Sequence, residues 1–182
     1  MEPKYKPRHD AIADTNLARG FVKRKKYDMA YPLFKKAIEK DPKYMLPYVE
    51  LARLYETEGK NPEAEETFKN ALNAEPENVA VMSEFGYFLT KLGRIKEAVE
   101  ILDRAVKKNS YTPAYYYHHA YALAKNGQIK DSLGAFEGAL SMNLYDSKLY
   151  SLRGEVYENS GMLKEAASDY KKALELILKI KE

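Results

Sequence analysis

The chain has 182 residues, 45% of them hydrophobic and 31% charged, the balance of one ordinary folded domain rather than a disordered polymer. A formal charge of +3 is too small a surplus to imply nucleic acid by itself, and the absence of cysteine excludes disulfides, thiolate metal sites and cysteine nucleophiles. The histidines (His9, His118, His119) include no pair one helical turn apart, so an H-E-x-x-H zinc site is excluded too.

Residues 1–10 (MEPKYKPRHD) are basic but have no apolar core after them, so they do not read as a secretory signal. They are expected to form a flexible leader. From residue 11 the chain is periodic. Ala18, Ala52, Gly86, Ala120 and Gly154 recur at a spacing of 34 residues, as do Ala30, Ala64, Ala98, Ser132 and Ala166. Ala37, Ala71, Ala105, Ala139 and Ala173 keep the same period, and so do Phe34, Phe68, Leu102, Phe136 and Tyr170. Gly59, Gly93, Gly127 and Gly161 mark the turns. The repeats therefore read 11–44, 45–78, 79–112, 113–146 and 147–180, within a single domain over 11–182.

In repeat one, Pro32 lies early in the second helix and is expected to loosen its first turn. Repeat two shows the pattern most fully. Residues 46–58 place Leu51, Ala52 and Tyr55 on one helical face. Gly59 ends that helix in a left-handed conformation, and Pro62 suits the first turn of the next. Ala64, Phe68, Ala71 and Leu72 form the second apolar stripe, which Pro76 stops. In repeats three to five, Ser110, Leu144 and Leu178 replace the terminal proline, so those helix ends are less sharply defined. His119 and Arg153 stand where earlier repeats have Leu17, Leu51 and Phe85. The reading is all-α: stacked antiparallel helix pairs, with small residues allowing close axes and aromatics filling the space beside them.

This pattern resembles the tetratricopeptide repeat over residues 11–180 in period, small-residue ladders, aromatic ladder and the terminal Pro42 and Pro76. The resemblance implies a right-handed superhelical solenoid whose first helices line a concave groove for a partner peptide or helix. At the repeat spacing, one groove row is Arg19, Arg53, Tyr87, Tyr121 and Glu155. A second is Lys23, Thr57, Lys91, Lys125 and Asn159, and a third is Thr15, Val49, Ser83, Tyr117 and Ser151. The expected peptide-binding residues are Arg19, Lys23, Val49, Arg53, Tyr87, Lys91, Tyr117, Tyr121 and Lys125: rings bury apolar side chains, and cations pair with carboxylates. The same basic and aromatic residues offer nucleic acid as the less favoured partner. The family's carboxylate clamp for chaperone tails is rejected. Its slots carry Thr15, Arg19, Glu50, Ala80 and Glu84, and shifting by one or two repeats does not restore it.

Three further features are weighed against plain structural roles. His119 is expected to be a satisfied core histidine and His118 an ordinary surface one. The alternative has His118 contacting a ligand or making binding sensitive to pH. Gly134 and Gly138 form G-x-x-x-G in a second helix and are read as a weak spot rather than a contact with another chain. In the last helix Ala166, Tyr170, Ala173, Leu174, Ile177 and Leu178 form an apolar stripe, which suggests either self-association through Tyr170, Leu174, Ile177 and Leu178 or a natural chain that continues, the plain alternative being a tolerated exposed edge. Leu178 also lets this helix run on towards Glu182.

Phosphate-loop, dinucleotide, nucleophile-elbow and calcium-loop motifs are missing, so no catalytic, cofactor or metal residues are assigned and the chain reads as a non-catalytic scaffold. The longest uncharged stretch, 109–124, is broken by Pro113 and too polar to span a membrane. A cytoplasmic location is expected, or a periplasmic one if a signal precedes the chain. Small arrays of this kind resemble pilus-biogenesis lipoproteins, with loose similarity at residues 84–89, and type III secretion chaperones share the implied fold.

Overall fold

The computed structural model describes residues 6–108, 113–142 and 146–179. Among them the chain forms ten helices in sequence: α1 (Lys6–Lys23), α2 (Tyr27–Lys40), α3 (Met45–Thr57), α4 (Asn61–Ala74) and α5 (Val79–Lys91), then α6 (Ile95–Lys108), α7 (Pro113–Lys125), α8 (Ile129–Ser141), α9 (Ser147–Asn159) and α10 (Leu163–Lys179). They pair as the ladders require, α1 with α2, α3 with α4, α7 with α8 and α9 with α10. The helix expected over 46–58 is α3, and Pro62 sits in the first turn of α4. Ser110 and Leu144 lie outside the described residues.

The hairpin turns share one hydrogen-bond scheme. In repeat two, Lys60 N–H donates to Tyr55 C=O at 2.9 Å and Gly59 N–H to Glu56 C=O at 3.0 Å, the Schellman pair that closes a helix around a left-handed residue. Gly93, Gly127 and Gly161 repeat it, with φ of 77°, 82° and 76° against 71° at Gly59. The corresponding position of repeat one is Lys25, whose φ is 57° and whose N–H donates to Val22 C=O at 2.9 Å. A side chain there meets the Cβ–carbonyl crowding that glycine avoids. Lys25→Gly is therefore expected to raise stability by about 0.5–1 kcal/mol, read as a higher urea midpoint. An unchanged or lower midpoint refutes it.

The described residues form two compact units, Met1–Val81 and Met82–Glu182. Two units arise because each hairpin of a repeat chain contacts only its neighbours, so no core gathers the whole chain. In the first unit Ala18, Ala30, Phe34, Leu51 and Leu54 make a core cluster. In the second, Tyr117, Ala120, Phe136, Ala139, Leu149 and Val156 do so. The ladder aromatics Phe34, Phe68 and Phe136 are at most 1% exposed.

The leader departs from expectation. Helix α1 begins at Lys6, so residues 6–10 are helix rather than flexible leader. Arg8 explains this locally: its guanidinium pairs with Asp41 and lies 5.1 Å from the Tyr44 ring, tying the first turn to the end of repeat one. Asp14 is held similarly, by Lys40 at 2.6 Å and Lys36 at 3.7 Å. Helix α2 runs unbroken from Tyr27 to Lys40 with Pro32 inside it.

Candidate functional site

The second compact unit brings α5, α7 and α9 together around an aromatic cluster. Tyr87 on α5 stacks on His118 of α7, with ring centroids 4.3 Å apart and planes within 10°. Tyr117 meets the same imidazole edge-on at 4.5 Å, and Tyr121 tilts against Tyr87 at 6.1 Å. Beneath them Ser83 Oγ and His118 Nδ1 share a hydrogen bond of 2.8 Å, each residue being 1% exposed. A buried polar pair satisfied in this way resists moving, because any other arrangement strands a polar atom out of water. The imidazole is a fixed floor for Tyr87.

Ammonium groups gather at these rings. Lys91 Nζ and Lys148 Nζ each lie 4.6 Å from the Tyr87 centroid, and Lys148 is also 5.0 Å from that of Tyr117. Lys125 Nζ sits 5.0 Å from the Tyr121 ring and 2.9 Å from Glu155 Oε1, to which the Tyr121 hydroxyl also donates at 3.2 Å. Burial, then the Glu155 charge, pushes the Tyr121 phenol above its ordinary range. The hydrogen bond to Glu155 holds the Lys125 ammonium above its own. Two lysines thus converge on Tyr87, and a third lies over Tyr121 beside Glu155. Such a surface takes carboxylates at its ammonium groups and apolar or aromatic side chains against its rings.

Tyr87, Lys91, Tyr117, Tyr121 and Lys125 all belong to this cluster, as the repeat spacing expected. Tyr117 enters it as an 8% exposed supporting ring. The row to which Tyr117 belongs differs from expectation: Thr15 is 0%, Val49 8% and Ser83 1% exposed. Val49 therefore offers a partner almost no surface. The physical reason is that neighbouring first helices pack on each other, α1 on α3 and α7 on α9, and this row forms their seam. In the first unit Arg19 pairs with Glu50 at 3.3 Å, and Lys23 and Arg53 are exposed. No aromatic ring contact joins Arg19 or Lys23 among the described residues; the first unit's own lysine-on-ring contact lies elsewhere, Lys60 Nζ being 5.1 Å from the Tyr31 ring, which is 4.9 Å from that of Tyr55.

The histidines are reversed. His118 is the buried one, whereas His119 is only half-buried and reaches Asp103 Oδ1 from Nε2 at 2.6 Å. A helix rotates by about 100° per residue, so the adjacent histidines turn to different neighbours, His118 to Ser83 and His119 to Asp103. Ser83 on α5 supplies the polar partner that makes the inner position tolerable. Lys148 stands outside all three groove rows because it lies in the first turn of α9, where the matching residues of other repeats include Ala80 and Ala114. Only the packing of α9 on α7 brings it to Tyr87. A Cβ on Gly134 would meet nothing within 4 Å, and one on Gly138 only the Tyr116 ring at 3.8 Å.

No cluster of three or more metal-ligating side chains occurs among the described residues, and no described helix is long and apolar enough to cross a membrane. No curated protein sequence matches the chain. Among solved structures it is similar to PilW, a widely conserved type IV pilus biogenesis factor, with TM-score 0.80, 22% identity, and 92% of this chain and 77% of that one covered. It is also similar to PilF of Pseudomonas aeruginosa, with TM-score 0.77, 21% identity, and 93% and 78% covered. A third is YrrB, described as a tetratricopeptide repeat protein with an unusual peptide-binding site, with TM-score 0.62, 24% identity, and 93% and 87% covered. At these identities the likeness establishes the fold, a solenoid of stacked helix pairs. The tetratricopeptide repeat pattern itself matches residues 21–69, 57–120 and 117–177, and that near-continuous match places the chain in the tetratricopeptide repeat family.

Proposed function

We propose that this chain is a non-catalytic interaction scaffold that receives a partner protein segment on the α5–α7–α9 surface, through acidic and aromatic side chains of that segment. Membership of the family supports the scaffold role. The observation that carries the location is the convergence of Lys91 and Lys148 on Tyr87, itself seated on the buried His118. Rigid aromatic anchors beside cations are the residues that dominate interface energetics. Glu155, at the edge of the cluster, disfavours a continuous phosphate backbone more than it does a peptide with mixed charge.

The test is affinity capture from native lysate, comparing wild type with Tyr87→Ala/Tyr121→Ala and with the charge reversal Lys91→Glu/Lys148→Glu. Both variants are expected to lose the same partners by at least roughly tenfold, since each removes hot-spot contacts worth more than about 1.4 kcal/mol. Circular dichroism should show unchanged helicity. Retention of every partner by both variants refutes the reading. So does a single-stranded nucleic acid ligand whose affinity collapses with salt.

A further inference from the structure

We infer that copies of this chain associate head to tail, the outward face of α10 in one copy seating on α1 of the next. Ile38, Leu72, Val106, Leu140 and Leu174 recur at the repeat spacing on the second helices. The first four are half-buried, whereas Leu174 is 56% exposed, with Leu178 at 54% and Ile177 at 42% beside it. The first helices show the converse. Leu51 is 4% and Phe85 6% exposed, but Leu17, in the same register, is 53% exposed.

The internal seams show what these positions do. In the first unit α2 packs on α3, and one cleft of about 560 Å³ brings Lys35 and Ile38 of α2 to Tyr48 and Leu51 of α3. Carried four repeats on, Lys35 and Ile38 become Lys171 and Leu174 of α10. Carried one repeat back, Tyr48 and Leu51 become Asp14 and Leu17 of α1. The two outward faces are thus the two halves of a seam the chain already makes, in α6 on α7 and α8 on α9 as well. Seating them in that register covers Leu174 with Leu17 and brings Lys171 towards Asp14, which Lys36 and Lys40 of its own copy also approach.

A second copy is the occupant because its α1 carries the complementary register. Tyr170 frames this face rather than leading it. Its ring lies against Gly154, where a Cβ would come within 2.8 Å, and its hydroxyl donates to Glu158 at 2.7 Å. That bond, ahead of burial, pushes the phenol up to about 12. Because the surfaces differ, the contact is heterologous and adds copies in a chain or ring.

Sedimentation velocity from low to high micromolar tests this with Leu17→Glu and Leu174→Glu, both at exposed positions where a charge costs little folding stability. Wild type is expected to grow beyond the monomer with concentration. Each variant alone should remain monomeric, because each lacks one half of the seam. Their equimolar mixture should form a dimer, since one intact tail then meets one intact head. A wild type that stays monomeric at high micromolar overturns the inference. So does Leu17→Glu that still self-associates, or a mixture that stays monomeric.

Discussion

Asp169→Ala is expected to lower the stability of the α9–α10 hairpin by about 2–3 kcal/mol. Asp169 accepts two hydrogen bonds from Arg153, Nε at 2.7 Å and Nη2 at 2.8 Å. The side chains are 14% and 6% exposed, and this fork holds the guanidinium above its ordinary pKa range. Deleting the carboxylate leaves a half-desolvated cation without its counter-charge, which is worse than having no pair at all. The Tyr150 and Tyr157 rings, 5.8 Å and 5.5 Å from the guanidinium carbon, offset part of this and keep the loss at the lower end. Stability in a repeat chain is largely a sum of local terms. Hydrogen exchange should therefore accelerate in α9 and α10 while the first compact unit is unaffected. The double variant Arg153→Leu/Asp169→Leu should recover most of the loss, since Leu17 and Leu33 occupy these two registers in repeat one. A single variant as stable as wild type refutes the account.

Gly86→Ala and Gly134→Ala make the same chemical change with opposite expected signs. A Cβ on Gly86 would stand 2.4 Å from Leu102 Cγ and 2.9 Å from Ile101 Cγ2, atoms close to their own backbone that cannot swing aside. Overpacking of that kind costs about 1–3 kcal/mol, which outweighs the helix-propensity gain of about 1 kcal/mol. Around Gly134 there is nothing within 4 Å, so the propensity gain stands alone. Urea unfolding should show Gly86→Ala destabilised by about 1–2 kcal/mol and Gly134→Ala stabilised by about 0.5–1 kcal/mol. Equal shifts for the two would mean that close approach of the helix axes is not what the small-residue ladder provides.

The fold followed from the spacing of residues along the chain. Glycine can adopt positive φ without steric penalty, so its recurrence announced the Schellman turns at 59, 93, 127 and 161, and the ladders of alanine and aromatics announced which faces pair. Tyr87, Tyr121, Lys91 and Lys125 were recoverable in the same way, because residues four apart on one helix share a face and the repeat carries that face from hairpin to hairpin. Periodicity places a residue around its own helix, but not the depth to which the neighbouring helix covers it. That is why Val49 and Thr15 proved buried in the seam between first helices, why His118 rather than His119 took the inner place, and why Lys148 reached Tyr87 from outside every groove row. The two polar residues in an apolar slot found different solutions, His119 turning to Asp103 on α6 and Arg153 to Asp169 on α10. Each choice depends on where an acid lies on another helix 16 residues away, a distance that only packing closes.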